Sequence, residues 1–397
     1  MKIIAIISEY NPFHLGHLNQ INQIRKIFNN EEIAIISIMS GNFIQRGEPS
    51  IVDKFKRCKM ALYSGINLCL ELPIHVSLCS AEGFSFGSIN LLNKLNIVDY
   101  LCFGCEIVNI ETLNKLSDTL LSINKNTLSK YLNKGLSFPK SIELYIDEKF
   151  KDENITNFIK SPNNILAIEY LKAIKLLNSP IKVLPIERIG GGYLDEDLNN
   201  VYSSATSIRK KLLTFPEKID VLKNHLPNIS YEILKEQLKN NFIVDKNKIF
   251  TYLKYKLLTS KSLHKIEGVN EGIENKIYKE ILNSNNLNDL ILNVKSKRYT
   301  YSRISRILLK YFIGFENYNI EKIKNMNNYI RILGFDNTGV ILLNKIKKLT
   351  SLELISNFNK KNSYLAPLDI LGTKAYSLIN NSVNPLEDFK THPIIKS

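Results

Sequence analysis

The sequence predicts a doubly wound α/β fold on a parallel sheet, followed by a mainly α-helical C-terminal region. Three observations carry this: five short apolar, β-branched runs, helical spacing between them, and polar or glycine-bearing turns where several of them end. Strands buried on both faces of a parallel sheet read as continuous apolar runs. The sheet region is expected over residues 1–215 and the basic helical region over 216–397, with the boundary at Pro216 and the charged residues after it.

The first run, Ile3 to Ile7, breaks at Ser8, Glu9, Asn11 and Pro12, and Leu18, Ile21, Ile24 and Phe28 then recur at helical spacing from about Gly16. Ile33 to Met39 is the second run. The loop Ser40 to Pro49 after it carries Asn42, Gln45 and Arg46 at a strand end, where open α/β sheets put ligands; a plain surface connection fits the same residues. Ile51 to Tyr63 reads as a helix with Lys54, Lys56, Arg57 and Lys59 on its polar side, and Leu68 to Leu72 as the third strand, stopped by Pro73. Ser85 to Leu95 is helical, Val98 to Phe103 is the fourth strand, and Gly104-Cys105-Glu106 leaves it tightly. From Glu111 to Phe158 the pattern is helical. Asn163 and Asn164 before Ile165 to Leu177 read first as a helix N-cap. The fifth strand, Ile181 to Ile186, opens into a flexible loop, Glu187-Arg188-Ile189-Gly190-Gly191-Gly192-Tyr193. Ser203 to Lys211 then puts hydroxyls at a helix start with Arg209 close behind, either a second anion site or a simple cap. Beyond Pro216, Ile219 to Phe315 is helical without a convincing strand, and Ile332 to Ile346 and Ala366 to Asn380 are further packing segments.

Composition narrows the class. The 397 residues suffice for more than one core, and 44% hydrophobic with 23% charged residues is ordinary for a globular protein. No apolar run approaches the ~18 residues of a membrane span, and the chain enters its first strand with no basic leader, so a cytoplasmic protein without membrane contact is expected. Five cysteines, all in the first third, do not suit a disulfide framework, and Cys102-Phe-Gly-Cys105 reads as a strand end. The net charge of +15 is uneven: 24 Lys+Arg against 21 Asp+Glu through Pro216, and 29 against 17 after it. A basic C-terminal excess suits a polyanion such as RNA. There, Lys295 to Arg306 mixes cations with tyrosines, a combination suited to phosphates and unpaired bases, or else a solvated helical face.

The chemistry concentrates at His14-Leu15-Gly16-His17. On a strand-loop-helix unit the helix N-terminus offers unpaired N–H groups and a positive dipole end to an anion. Gly16 permits close approach, and two imidazoles three residues apart can donate to phosphoryl oxygens. Read alone, these residues also fit a polar surface loop. The spacing, with no third ligand near it, is unlike the usual zinc patterns, and no metal ligand is assigned.

Together, E-Y-N-P-F-H-x-G-H at Glu9 to His17, S-G-N-F-x-Q-R-G-E-P at Ser40 to Pro49, P-N-N-I-L at Pro162 to Leu166, S-A-T-S-I-R at Ser204 to Arg209, S-K-R-Y-T at Ser296 to Thr300 and R-I-L-G-F at Arg331 to Phe335 resemble the bacterial tRNA(Met) cytidine acetate ligase family. That family is a branch of the H-x-G-H nucleotidyltransferase superfamily, whose fold is Rossmann-like, and the resemblance spans nearly the whole chain. It implies that acetate and ATP, the latter with Mg²⁺, form acetyl-adenylate, and that the acetyl group passes to N4 of the wobble cytidine of elongator tRNA(Met), leaving N4-acetylcytidine, AMP and diphosphate. It implies an ATP site along Ile7, Ser8, Glu9, Tyr10, Asn11, Pro12, Phe13, His14, Leu15, Gly16, His17, Leu18, Asn19 and Gln20, with His14 and His17 catalytic at the triphosphate. Gly104, Asn163, Asn164, Arg188 and Ile189 would complete the nucleotide pocket, with Ser204, Thr206 and Arg209 as the second anion site. Lys297, Arg298, Arg303 and Arg306 are the expected tRNA contacts; no protein partner is inferred. A small-molecule adenylyltransferase and a non-catalytic ATP- and RNA-binding protein are the alternatives.

Overall fold

The computed structural model describes residues 1–29, 31–189, 202–326 and 329–397, so Gly190 to Tyr193 of the loop after the fifth strand lie outside the described residues. All five expected strands form: β1 (Lys2–Ser8), β2 (Ile33–Ser40), β5 (Leu68–Leu72), β6 (Tyr100–Cys105) and β7 (Lys182–Glu187). Between β2 and β5 lies a small antiparallel pair, β3 (Phe43–Ile44) and β4 (Glu48–Pro49). The five lie side by side as β5-β2-β1-β6-β7, all parallel, which is the Rossmann-like order with its switch point between β1 and β6. Alternate residues of β1 feed opposite faces. Ile3 and Ala5 pack with Phe84, Leu92 and Leu95 of the helix Ala81–Leu95, whereas Ile4 and Ile6 pack with Ile21 and Ile24 of the first helix, Leu15–Ile27. Burial on both faces is why the run is apolar throughout.

The C-terminal chain does more than pack helices. After the helical stretch it returns to the sheet as β8 (Tyr329–Asp336), antiparallel beside β5, and β9 (Glu353–Ile355) and β10 (Ile394–Lys396) pair parallel to β8. Among the described residues the sheet thus has eight strands and is mainly parallel. Ile332 to Ile346, read as one packing segment, is the end of β8 and most of the helix Asn337–Leu349. Gly334 lets β8 sit close: a Cβ there would lie 2.7 Å from the Ile394 carbonyl oxygen and 2.8 Å from Cys58 Sγ.

The helix Lys54–Tyr63 also departs from expectation. Asp53 caps it, and Lys56 and Lys59 face outward, but Lys54 and Arg57 are buried. Lys54 Nζ lies 2.8 Å from Glu71 and 2.6 Å from Asp388. Arg57 donates to the carbonyls of Val52 (3.2 Å), Glu9 (2.6 Å), Ser40 (3.1 Å) and Gly41, which ties together the chain leaving β1 and β2. A buried cation is tolerable only with such partners.

The C-terminal helices build a core of their own around Leu253, Ile277, Leu290, Ile307, Leu308 and Tyr376, and Phe43, Ile74 and Leu78 of the sheet region join it. The helix Tyr301–Ile313 sits directly on the β3–β4 turn. Ser305 Oγ donates to the Gly47 carbonyl at 2.8 Å, and a Cβ on Gly47 (φ +81°) would come within 2.5 Å of the Arg306 nitrogen.

Candidate active site at the ends of β1 and β6

A cavity of about 200 Å³ opens at the switch point, where doubly wound sheets bind ligands. Of the expected residues, Ile7, Ser8, Glu9, Tyr10, Asn11, His14, His17, Gln20, Gly104, Asn163, Arg188, Ser204, Thr206 and Arg209 line it. A smaller recess of about 60 Å³ shares His14, His17, Gln20, Gly104 and Arg188 and adds Gly16, Asn19 and Ile189.

Five expected residues line neither. Phe13 is fully buried among Ile4, Tyr10 and Ile21, Leu18 packs against the same core, and Pro12 is buried behind the turn. Leu15 gives its N–H to the His225 carbonyl at 3.1 Å. Asn164 is fully buried, and it is not an N-cap: Ser161 holds that position and Pro162 begins the helix Pro162–Leu176. Instead its Oδ1 accepts from the N–H groups of Glu106 (3.0 Å) and Ile107 (3.4 Å), while the Glu106 carboxylate accepts from Asn163 Nδ2 (2.6 Å) and Asn164 N (3.1 Å). This reciprocal lock joins the exit of β6 to the helix start and holds Asn163 at the cavity wall.

The histidines work differently from the helix-dipole expectation. The first N–H groups of the helix are already used: Leu15 on His225, Gly16 on His14 Nδ1 (3.0 Å), and His17 on the His14 carbonyl (3.0 Å). The His14 N–H in turn donates to His17 Nδ1 (3.2 Å), and the two rings stack with centroids 3.7 Å apart. Burial, then Arg188 and Arg209, pushes His14 down to about 3; burial, then His14 and Arg188, holds His17 well below the usual range. Both rings are therefore neutral at pH 7. With each Nδ1 accepting a backbone N–H, the ring proton sits on Nε2, so the imidazoles rather than the backbone supply donors to the cavity.

Opposite them, Arg209 Nη1 donates to the Asn11 carbonyl (2.7 Å), and Ser204 Oγ accepts from Ser207 N (3.1 Å) as a cap while still bordering the cavity. Gly104 lies under Arg188, whose Cγ would be 2.8 Å from a Cβ. Glu9 Oε1 accepts from the Gln45 N–H at 2.8 Å. Burial raises the Glu9 pKa against the pull of that bond and of Arg209, Arg46 and Arg57. Both β6 cysteines are free, and burial pushes each thiol up to about 12, in keeping with a strand end.

Reading by sequence missed the apolar wall: Phe84, Phe103, Leu166 and Tyr170. In one dimension these are core positions of helices and a strand, and nothing marks them as facing a cavity.

A larger cleft, about 520 Å³, lies between the Ala81–Leu95 and Pro162–Leu176 helices and the helix Tyr301–Ile313. Lys172, Arg303, Arg306, Lys310 and Lys324 line it, with Glu82, Glu169 and Glu267 among them. Arg306 Nη1 donates to the Gln45 carbonyl at 3.3 Å, and Gln45 lines the smaller cavity, so the two spaces adjoin. Arg303 lies 4.0 Å over the Tyr299 ring. Lys297 and Arg298 are exposed outside the cleft, and Arg298 pairs with Glu271 at 2.6 Å.

The family model described as HIGH Nucleotidyl Transferase matches residues 1–390. A tRNA(Met) cytidine acetate ligase of Clostridium novyi is 44% identical over 99% of both chains, and one of Clostridium botulinum is 44% identical over 100% of this chain and 98% of its own. The chain belongs to the tRNA(Met) cytidine acetate ligase family. Solved structures agree: Thermotoga maritima TmcAL in its apo form superposes with a TM-score of 0.89 at 29% identity, covering 100% of this chain and 99% of that one. The same protein bound with alpha-thio ATP gives 0.87.

Proposed function

We propose that the chain activates acetate with ATP in the β1–β6 cavity and transfers the acetyl group to N4 of the wobble cytidine of elongator tRNA(Met). The observation that carries this is the pair of neutral, stacked imidazoles whose Nε2–H groups have no partner among the described residues at the switch-point cavity, in a chain of this family. Attack of an acetate oxygen at the α-phosphorus is an in-line displacement, so positioning and charge stabilisation are the main tasks. His14, His17, Arg188 and Arg209 supply donors and positive charge for the phosphates; Phe84, Leu166 and Tyr170 give the acetate methyl and the base an apolar wall.

Mg²⁺ would enter on the ATP phosphates. Among the described residues no group of three or more His, Cys, Asp or Glu forms a cation cage, so the phosphates themselves would hold the ion. The cleft beside the cavity is the proposed seat of the anticodon strand, with Arg303 and Arg306 inside it and Lys297 and Arg298 on the backbone approach. The chain is proposed to act in the cytoplasm; no helix among the described residues is long and apolar enough to cross a membrane.

The test is mass spectrometry of elongator tRNA(Met) incubated with protein, ATP, Mg²⁺ and acetate, each omitted in turn. One acetyl group gained at the wobble cytidine, dependent on protein, ATP and acetate, is the expected result. An unmodified tRNA, or a stable dinucleotide-like product, contradicts the proposal.

A further inference from the structure

Acetyl transfer to an exocyclic amine needs a proton acceptor. The N4–carbon bond forms, the carbon–oxygen bond of the acyl-adenylate breaks, AMP departs with that electron pair, and one N4 proton must go elsewhere. Acetate activation needs no such group, because acetate enters as a carboxylate. The question is which side chain of the cavity has a lone pair left.

Among the described lining residues the answer follows by elimination. The histidines use each Nδ1 to accept a backbone N–H and carry the proton on Nε2, so they donate. Arg46, Arg188 and Arg209 are cations, and burial raises the Tyr10 and Tyr170 phenols, which stay protonated. Glu9 differs. Its Oε1 accepts from the Gln45 N–H at 2.8 Å, its Oε2 has no hydrogen-bond partner among the described residues, and it sits at the end of β1 between the histidine turn and the β3–β4 turn. Gln45 is also where Arg306 of the basic cleft makes contact, so Glu9 lies on the side from which the proposed tRNA site opens. Glu187 borders only the smaller recess and is exposed.

We propose that Glu9 is the base that takes the N4 proton as the cytidine amine attacks the acetyl-adenylate. This rests on the ligase reading above. The charges facing Glu9 are Arg46 from the β3–β4 turn, Arg57 from the Lys54–Tyr63 helix and Arg209 from the Ala205–Thr214 helix, with the Tyr170 phenol from the Pro162–Leu176 helix. Burial makes the carboxylate a stronger base than a surface one, and the three arginines keep the ionised form accessible.

The test uses the full-length chain with Glu9→Gln, which keeps an oxygen for the Gln45 N–H. Two rates are compared: acetylation of elongator tRNA(Met), and acetate-dependent pyrophosphate–ATP exchange in the presence of the same tRNA carrying a wobble uridine. Acetylation should fall by about 100-fold or more, and by at least about 10-fold more than exchange falls. The acidic limb of the wild-type acetylation pH profile should vanish in Glu9→Gln and persist in Glu9→Asp at a lower rate. Acetylation within about threefold of wild type, or an equal fall in both rates, overturns the role of Glu9. Should Glu9→Gln fail to fold, a wild-type single-turnover profile with no acidic limb overturns it too. Wild-type protein that neither exchanges nor acetylates overturns the ligase reading instead.

Discussion

Glu9 and Glu71 stand at the ends of two strands of one sheet, and their surroundings are finished in opposite ways. The Glu71 carboxylate is taken by Lys54 through both oxygens at 2.8 Å, Lys54 also meets Asp388 at 2.6 Å, and Arg331 lies opposite Glu71 in the β5–β8 register. Four buried charges there neutralise one another inside the protein. Around Glu9, among the described residues, one carboxylate oxygen and two imidazole Nε2–H groups keep hydrogen-bonding capacity toward the cavity. Both clusters contain buried ionisable groups, and both shift pKa values. What separates the two clusters is that the Glu71 charges meet one another away from the cavity and the cleft, whereas Glu9 and the two imidazoles line the cavity.

The largest expected effect breaks the structural cluster. Lys54→Met leaves Glu71 and Asp388 uncompensated and should cost about 3–5 kcal/mol of stability, read from the denaturant midpoint; a loss below about 1 kcal/mol would mean the cluster holds nothing together. Next come His14→Asn and His17→Asn. Each should lower acetate-dependent AMP release by about 10²–10³-fold while stability changes by less than about 1 kcal/mol, since asparagine caps a helix at position 14 and its amide oxygen can replace the Nδ1 acceptor at position 17. Equal losses of fold and rate would make the histidines structural, like Lys54.

Acidification sharpens the contrast further. The folded His14 pKa, about 3, lies below the unfolded value near 6.5, so the unfolded chain binds more protons between those limits and stability falls as pH falls. Unfolding at pH 7 and pH 5 should show wild type losing about 2 kcal/mol more than His14→Asn; an identical pH dependence would contradict a neutral, buried imidazole. The smallest effect belongs to the exposed Arg298–Glu271 pair. Arg298→Ala should change stability by less than about 1 kcal/mol, yet raise the KM for tRNA severalfold in low salt.

The five parallel strands were legible because burial on both faces writes a continuous apolar run. β8 was not: Arg331 and Gly334 interrupt it, and both are explained only by partners distant in sequence, the Glu71–Asp388 cluster and the β10 backbone. Lys54 and Arg57 look like a solvated helix face until Glu71, Asp388 and four carbonyls turn up behind them. Within the site, Glu9, Tyr10, Asn11, His14, Gly16, His17, Asn19 and Gln20 could be read together since one turn of chain brings them to the cavity and its recess, while Pro12, Phe13, Leu15 and Leu18 of the same stretch line neither space. Phe84, Leu166 and Tyr170 could not, because an apolar residue facing a cavity has the same spacing as one facing the core. Asn164 shows the converse: its motif was visible, but its task is to hold Asn163 and the end of β6, one layer behind the cavity.

The central claim, acetate activation as an acyl-adenylate, is tested most directly with acetate labelled in both oxygens with ¹⁸O, in the complete reaction with elongator tRNA(Met). Attack of the acetate oxygen on the α-phosphorus predicts AMP carrying one ¹⁸O atom for each acetyl group transferred. Unlabelled AMP, or ADP as the nucleotide product, would contradict the account.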